Sequence, residues 1–263
     1  MKHIFLLALA TIFGLQTTNA QEYEEFGLFD HLGAGISVGT DGIGIDLAAP
    51  MTDYAALRAG VSFLPRFKYN TNIDLKENDP DVMPNVDIEG KAKMFDFKLL
   101  ADFYPAKKSS FHITVGAFFG NGTLASGVNT SQLLKDPADN GKKGLSIGQD
   151  PQGKPYRITT DDNGYVTADV KVNKFKPYVG IGFGRAVPKK NRVSVSFDMG
   201  LQFWGKPRLG ANTKDDWGNV NYHEFKKSDI TDNDYDGVKD AFDVADKIIG
   251  YPVINIRING RIF

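Results

Sequence analysis

The sequence predicts an all-β fold, an eight-stranded antiparallel transmembrane up-and-down β-barrel, on three observations. Eight stretches between Asp30 and Phe263 alternate apolar and polar residues, which is the two-residue period of a strand with different surroundings on its two faces. The connections between them alternate short and long, as turns and surface loops do in outer-membrane barrels. Outside the N-terminal segment, no stretch approaches the roughly 20 apolar residues that a spanning helix needs.

The first 20 residues predict a secretory signal peptide. Lys2 precedes an apolar run at 4–15, and small or polar residues lead to Ala20 before Gln21. We therefore expect an exported chain whose barrel domain spans 21–263. The sequence has no cysteine, so disulfides do not contribute to the fold. A net charge of -1 lacks the basic footprint of nucleic-acid binding, and we expect no nucleic acid as a partner.

One face of each predicted strand is apolar and the other is polar or charged. The predicted strands cover 32–39, 43–49, 57–63, 95–103, 111–119, 174–183, 193–203 and 254–259. Burying many ionisable groups in a soluble β-sandwich or lipocalin-like core would be costly, whereas opposite charges inside a membrane barrel can pair. We therefore predict that the apolar faces contact lipid and that the lumen holds a charge network of Asp46, Arg58, Asp96, Lys98, Asp102, Asp198 and Arg257.

The strand count bears on transport. Eight strands give an interior that side chains nearly fill, which disfavours a general porin. Tyr156–Thr160 and Tyr165–Val172 flank a hairpin-like Asp161–Gly164, so ten strands remain an alternative. We interpret this hairpin as a β extension of the third surface loop. The long loops are predicted near 68–88, 122–164 and 207–247.

The last long loop contains a motif with the spacing of a calcium site, DNDYDGVKDAFD at 232–243. Its predicted ligands are side-chain carboxylates and one backbone carbonyl, that of Val238, which are the oxygen donors that calcium prefers. The ligand set is Asp232, Asp234, Asp236, Val238, Asp240 and Asp243. The segment resembles an EF-hand loop and, more closely, thrombospondin type 3 repeats, although it occurs once. We expect calcium to order this loop; the alternative is a solvated acidic loop.

Catalytic motifs are weak in this sequence. No GxSxG or HExxH pattern is present. Of the four histidines, His3 is in the signal, and His31 and His112 are predicted near the periplasmic ends of strands. His223 lies in the fourth loop beside Glu224, where a solvated residue is more common than half of a catalytic dyad. We expect no enzymatic activity.

The signal peptide, the Gly-rich strand at 31–40, the eight alternating strands and the terminal Phe263 together resemble the small outer-membrane β-barrel proteins, the porin-like outer-membrane β-barrel domain. The resemblance implies a bacterial outer-membrane location, with outer-membrane lipid, the barrel assembly machinery and an unknown extracellular ligand as partners. Our leading hypothesis is a non-enzymatic barrel whose surface loops have a structural or binding role. A narrow porin or transport channel is the alternative, and an outer-membrane enzyme is third.

Overall fold

The computed structural model describes residues 25–74, 85–129, 146–159, 165–214, 217, 219–229 and 236–263. Within them, 14 strands form one antiparallel sheet. The predicted signal peptide lies outside the described residues. Among the helices that are described, none is long and apolar enough to cross a membrane.

The sheet is accompanied by little helix. The strands are β1 (Gly33–Gly39), β2 (Gly42–Thr52), β3 (Ala55–Asp74), β4 (Asn85–Phe103), β5 (Phe111–Gly120), β6 (Thr123–Asn129), β7 (Ser146–Gln149), β8 (Pro155–Ile158), β9 (Thr167–Lys171), β10 (Phe175–Phe183), β11 (Val193–Phe203), β12 (Arg208–Lys214), β13 (Val220–Phe225) and β14 (Gly250–Arg261). A 3₁₀ turn (Lys227–Asp229) and helix α1 (Asp236–Lys247) connect β13 to β14.

Eight of the strands close into a barrel in the order β1, β2, β3, β4, β5, β10, β11 and β14, with β14 paired back to β1. The closing pair runs from Gly33 opposite Arg261 to Gly39 opposite Asn255. This confirms the predicted fold class, and the alternative of ten barrel strands is wrong. The turns after β2, β4 and β10 are short and share one end of the barrel, whereas the long connections after β3, β5 and β11 leave from the other end, so the short-turn end is periplasmic.

The outer surface of the barrel is a continuous apolar belt. Ile36 is 61% exposed, Phe97 58% and Ile258 57%, although each is a large apolar side chain. Their sequence neighbours Ser37, Asp96 and Arg257 are buried in the lumen. An apolar exterior around a charged interior requires lipid on the outside, and the protein is therefore an outer-membrane β-barrel.

Some aromatic residues of the barrel lie inside it and not on its lipid-facing surface. Tyr104, Tyr178 and Trp204 are buried, at 3%, 6% and 5% exposure. Their positions have the parity of the inner face, and parity decides the direction of a strand side chain. Phe263 lies beyond the end of β14 and is 65% exposed. Recognition of this terminus by the assembly machinery stays a prediction.

The sheet continues beyond the membrane as an extracellular cap, formed by β6–β9, β12, β13 and the outer halves of β3 and β4. The inner half of β4 pairs with β5 through Asp96–Phe103, and its outer half pairs with β6 through Ile88–Ala92. With 20 and 19 residues, β3 and β4 are about twice as long as the 9–11 residues that span a bilayer.

The cap changes the predicted loop boundaries. β3 and β4 continue into the predicted second loop at 68–88, whose residues 75–84 lie outside the described ranges. The third and fourth loops, predicted near 122–164 and 207–247, both contain strands. β8 and β9 do not pair with each other as a hairpin; each pairs with β12, which belongs to the fourth loop. Long-range pairing between the two loops therefore replaces the local hairpin.

Candidate functional site

The predicted charge network is present in the lumen, and all seven of its residues are buried, with exposures between 0% for Asp96 and Asp102 and 6% for Lys98. Its centre is Arg58 on β3. The Arg58 Nη2 donates a hydrogen bond to Asp102 Oδ1 at 2.6 Å, and Thr114 Oγ1 donates to the same oxygen at 2.7 Å. Asp198 Oδ1 lies 3.6 Å from Arg58 Nη2. One guanidinium therefore faces carboxylates from two other strands.

Asp198 extends the network to the opposite wall. Its Oδ2 lies 3.4 Å from Arg257 Nη2, and Arg257 Nη1 lies 3.9 Å from Asp46 Oδ2. Lys98 Nζ completes this side at 3.0 Å from Asp46 Oδ1. The four groups alternate in sign from β4 through β2 and β14 to β11, so each of these four buried charges lies near an opposite one, which lowers the cost of burial in a low dielectric.

Three further residues join the network that the sequence prediction did not assign to it. Lys176 Nζ lies 2.7 Å and 3.0 Å from the two carboxylate oxygens of Asp96. Gln202 Nε2 donates to Asp96 Oδ2 at 3.4 Å, and His112 Nε2 lies 2.8 Å from Asp198 Oδ1. All three have the inward parity of their strands, which was the signal that could have identified them.

Apolar layers close the lumen above and below the charges. At the outer mouth, Met94, Val172 and Trp204 form a buried cluster, and Trp204 Nε1 donates to Gln202 Oε1 at 2.6 Å. Leu100, Phe118, Tyr178 and Val253 cluster in the middle. A cavity of about 10 Å³ lies among the charges, which is room for about one water molecule.

The periplasmic mouth is closed by a third apolar cluster, formed by Phe26, Ala48, Ala56, Tyr104, Ala186 and Val187. Phe26 is anchored by its backbone N–H, which donates to Asp53 Oδ1 at 2.9 Å. Lys189 pairs with the same carboxylate, and Lys107 Nζ lies 3.4 Å from Asp53 Oδ2. Burial opposes the ionisation of Asp53, but the hydrogen bonds from Lys189 and Phe26 outweigh it and lower its pKa to about 2.

Arg185 fastens the three periplasmic turns to one another. From the β10–β11 turn, its Nη1 and Nη2 donate to the carbonyl oxygen of Asp53 at 3.2 Å. Its Nη2 also donates to the Lys107 carbonyl at 2.7 Å, and its Nε donates to the Ser109 carbonyl at 3.1 Å. The planar guanidinium stacks over the Tyr104 ring at 4.1 Å. The periplasmic end is therefore a tightly bonded closure.

The predicted calcium segment is described only in part. Asp232 and Asp234 lie outside the described residues, and the backbone from Asp236 onward, including Val238, Asp240 and Asp243, belongs to helix α1. Asp243 pairs with Lys227, whose hydrogen bond lowers the pKa of the Asp243 carboxyl. No group of three or more His, Cys, Asp or Glu side chains that could hold a metal is found within the described ranges. The calcium site stays a prediction.

His223 lies in the cap, on β13. Its Nε2 lies 3.2 Å from Asp229 Oδ2, which also accepts a hydrogen bond from the Lys226 N–H at 2.9 Å. The imidazole stacks on Tyr156 at 4.0 Å between ring centroids and meets Phe225 edge-on at 5.0 Å. Asp229 and the two rings therefore hold His223 as part of the packing of the cap.

The cap has its own hydrophobic core. Its buried members are Ile158, Val166, Ala211 and Phe225, and the partly buried Tyr156, Ala168, Leu209 and Phe242 pack against them. Phe242 comes from α1 and Phe225 from β13, so residues of the fourth loop pack on strands of the third. The cap is thus a second packed layer on the extracellular side of the closed barrel.

Comparison with known proteins gives structural likenesses alone. No family model matches the chain, and no curated protein matches it. The chain is similar to the crystal structure of Acinetobacter baumannii CarO2, at 17% identity over 90% of this chain and 99% of that chain, with a TM-score of 0.45. It is also similar to the crystal structure of Acinetobacter baumannii CarO, at 16% identity over 87% of this chain and 96% of that chain, with a TM-score of 0.46.

Proposed function

We propose that this outer-membrane barrel is a non-enzymatic, non-conducting scaffold that displays its extracellular cap as a binding surface. The cap carries this proposal, because its strands and its hydrophobic core go beyond what anchoring in a bilayer requires. Folded cores on the outer side of a barrel fix the position of surface residues, and fixed surface residues lower the entropic cost of binding a partner.

The packed lumen supports a scaffold over a channel. Apolar clusters lie at both mouths, and between them Arg58 pairs with Asp102 at 2.6 Å and Lys176 pairs with Asp96 at 2.7 Å. An ion that entered would displace paired charges and would find room for about one water molecule. A narrow transport channel therefore requires a rearrangement of several buried groups.

Conductance in a planar bilayer tests the non-conducting part. We expect no steps above the leak when the refolded barrel is added to a bilayer in which a general porin gives clear steps. Regular steps from the purified barrel, scaling with its concentration, would favour the narrow channel and overturn this part of the proposal.

Binding by the cap requires a separate test. We propose to apply fluorescently labelled barrel, refolded in an amphipathic polymer, to arrays of immobilised glycans and extracellular-matrix proteins. The matched variant replaces the β12–β13 hairpin, Arg208–Phe225, by a short Gly-Ser turn, which removes the strand that joins β8, β9 and β13. Binding by the wild type that is lost in the variant supports the proposal. Equal binding by the two forms, or no binding by either form, would contradict a binding role of the cap.

We further propose that calcium binds the 232–243 segment, on the strength of its carboxylate spacing. The packing of Phe242 in the cap core and the Asp243–Lys227 pair keep part of this segment folded without an ion. Calcium would then add local order around 232–236, and the helical start at Asp236 would have to rearrange to wrap the ion.

A further inference from the structure

A buried histidine lies among the buried charges of the lumen. Besides the periplasmic Asp53–Lys189 pair, the buried carboxylates of the described residues are Asp41, Asp46, Asp96, Asp102 and Asp198. The buried permanent cations are Arg58, Lys98, Lys176 and Arg257. These carboxylates outnumber the permanent cations by one, and the carboxylate that forms no ion pair among the described residues is Asp41, at the β1–β2 turn. His112, which is 0% exposed, is the remaining titratable base in this interior.

The two acceptors around His112 favour its charged form. Its Nε2 lies 2.8 Å from Asp198 Oδ1, and its Nδ1 lies 3.3 Å from the backbone carbonyl oxygen of Ser110. Both partners are acceptors when the carboxylate is ionised. A neutral imidazole donates from one ring nitrogen alone, whereas the imidazolium donates from both. The two contacts are satisfied together by the charged form.

The contact between His112 and Asp198 crosses a whole strand. His112 is on β5 and Asp198 on β11, and Gly182 of β10 lies between them, in register with both. A Cβ at Gly182 would lie 2.5 Å from His112 Nε2 and 2.7 Å from Asp198 Oδ1. The absence of a side chain at this position therefore leaves the space through which the two groups meet.

We propose that His112 is a proton-binding site of the lumen, which holds a charged imidazolium at neutral pH and latches β5 to β11 across Gly182. The bound proton gives Asp198 a third cationic neighbour beside Arg58 and Arg257. Because Ser110 and Tyr104 join this histidine to the periplasmic closure, loss of the proton loosens the barrel at that end.

The charged and titratable groups around His112 come from each neighbouring element. Asp198 on β11 accepts its hydrogen bond, and Tyr104 at the end of β4 lies 5.4 Å away between ring centroids. Asp102 on β4 and Arg58 on β3 pair with each other at 2.6 Å, and Arg257 on β14 faces Asp198 from the other side. Deprotonation of His112 would leave Asp198 with the two arginines, which Asp102 and Asp46 already engage.

Nitrogen NMR of the refolded, histidine-labelled barrel tests this site directly. We expect both ring nitrogens of His112 to be protonated at pH 7.5, where a free histidine side chain, with a pKa of about 6.5, is about one-tenth protonated. Assignment uses His112→Gln, whose spectrum lacks this signal. A His112 signal with one unprotonated nitrogen at pH 7.5 in the wild-type barrel would overturn the proposal.

Gly182→Ala provides the structural test, with Gly260→Ala as the matched control, since a Cβ at Gly260 meets atoms no nearer than 3.9 Å. We expect His112 to lose its second proton at pH 7.5 in Gly182→Ala and to keep it in Gly260→Ala. If Gly182→Ala does not fold, unfolding of the wild type against His112→Gln replaces it. The wild type should then lose stability from pH 7 to pH 9 and the variant should not; parallel curves would contradict the latch.

Discussion

Removal of the Arg58 guanidinium should destabilise the barrel strongly, because it leaves a buried carboxylate without a cation. Arg58 is 4% exposed, and Asp102, its partner at 2.6 Å, is fully buried. We expect Arg58→Met, which keeps most of the side-chain volume, to lower the free energy of unfolding substantially. Asp102 has no second cation in the ion pairs of the described residues, whereas Asp198 keeps Arg257 and His112.

The size of the destabilisation by Arg58→Met follows from the cost of an unpaired buried charge. Breaking a buried ion pair by removing one partner typically costs about 3–5 kcal/mol, while replacing both partners is often near neutral. Arg58→Met should therefore cost about 3–5 kcal/mol. The double variant Arg58→Met with Asp102→Asn should recover most of that loss. In the wild type the Thr114 hydroxyl donates a hydrogen bond to Asp102 at 2.7 Å, and the amide oxygen of Asn can still accept it.

Tryptophan fluorescence provides the assay. Of the two tryptophans, Trp204 is 5% exposed in the lumen and Trp217 is 89% exposed. In a Trp217→Phe background, urea unfolding from lipid vesicles reports the lumen through Trp204 alone. Lys68→Met is the matched control, since the Lys68 side chain is 66% exposed where it pairs with Glu89, and it should cause no measurable change. If Arg58→Met lowers the free energy of unfolding no more than the control does, the lumen charges are hydrated and the packed lumen is refuted.

Three further predictions concern the two ends of the barrel. Arg185→Lys should speed amide hydrogen exchange in the turns at 52–54 and 104–110, because an ammonium lacks the planar fork with which the guanidinium donates to carbonyls of both turns; exchange equal to wild type would contradict this role of Arg185. The fold lowers the pKa of Asp53 to about 2, so this carboxylate should stabilise the folded barrel at pH values above its ordinary pKa of 3.8. This stabilisation should disappear as the pH falls toward 2. Asp53→Asn should remove that acid dependence from urea midpoints measured between pH 5 and pH 2, and an unchanged slope would oppose this assignment. Asp232→Ala with Asp236→Ala should abolish calcium protection of residues 207–247 from protease, while Asp246→Ala, outside the motif, should retain it; unchanged protection would refute the calcium site.

Most of the barrel was predictable because strand parity is a local property. Successive side chains point to opposite faces, so the alternation at 95–103 identified Phe97 and Leu99 as lipid-facing and Asp96 and Asp102 as buried before any contact was known. The same parity also covers Lys176, Gln202 and His112, but parity alone does not select which inward residues meet. Asp198 and His112 are 86 residues apart, and the register of β10 between them decides their contact.

The cap was not predictable in the same way. Tyr156–Thr160 and Tyr165–Val172 carry a local hairpin signal, yet both strands pair with β12, because pairing there buries Ile158, Val166 and Ala211 in one core. The acidic spacing at 232–243 gave no sign that Phe242 packs in that core. A packing partner that lies far away in sequence leaves no local trace in either segment.

The sequence by itself determined the class of this protein, the lipid-facing and lumen-facing residues and the sign of each buried charge, because these depend on a two-residue period that every strand repeats. Only the tertiary structure decided which charges pair, how Arg185 joins three turns, and that strands of the long loops continue the barrel sheet as a cap. Those features depend on strand register and barrel closure, which bring strands distant in sequence side by side. Among the possible pairings, the fold adopts those that bury opposite charges together and bury apolar surface.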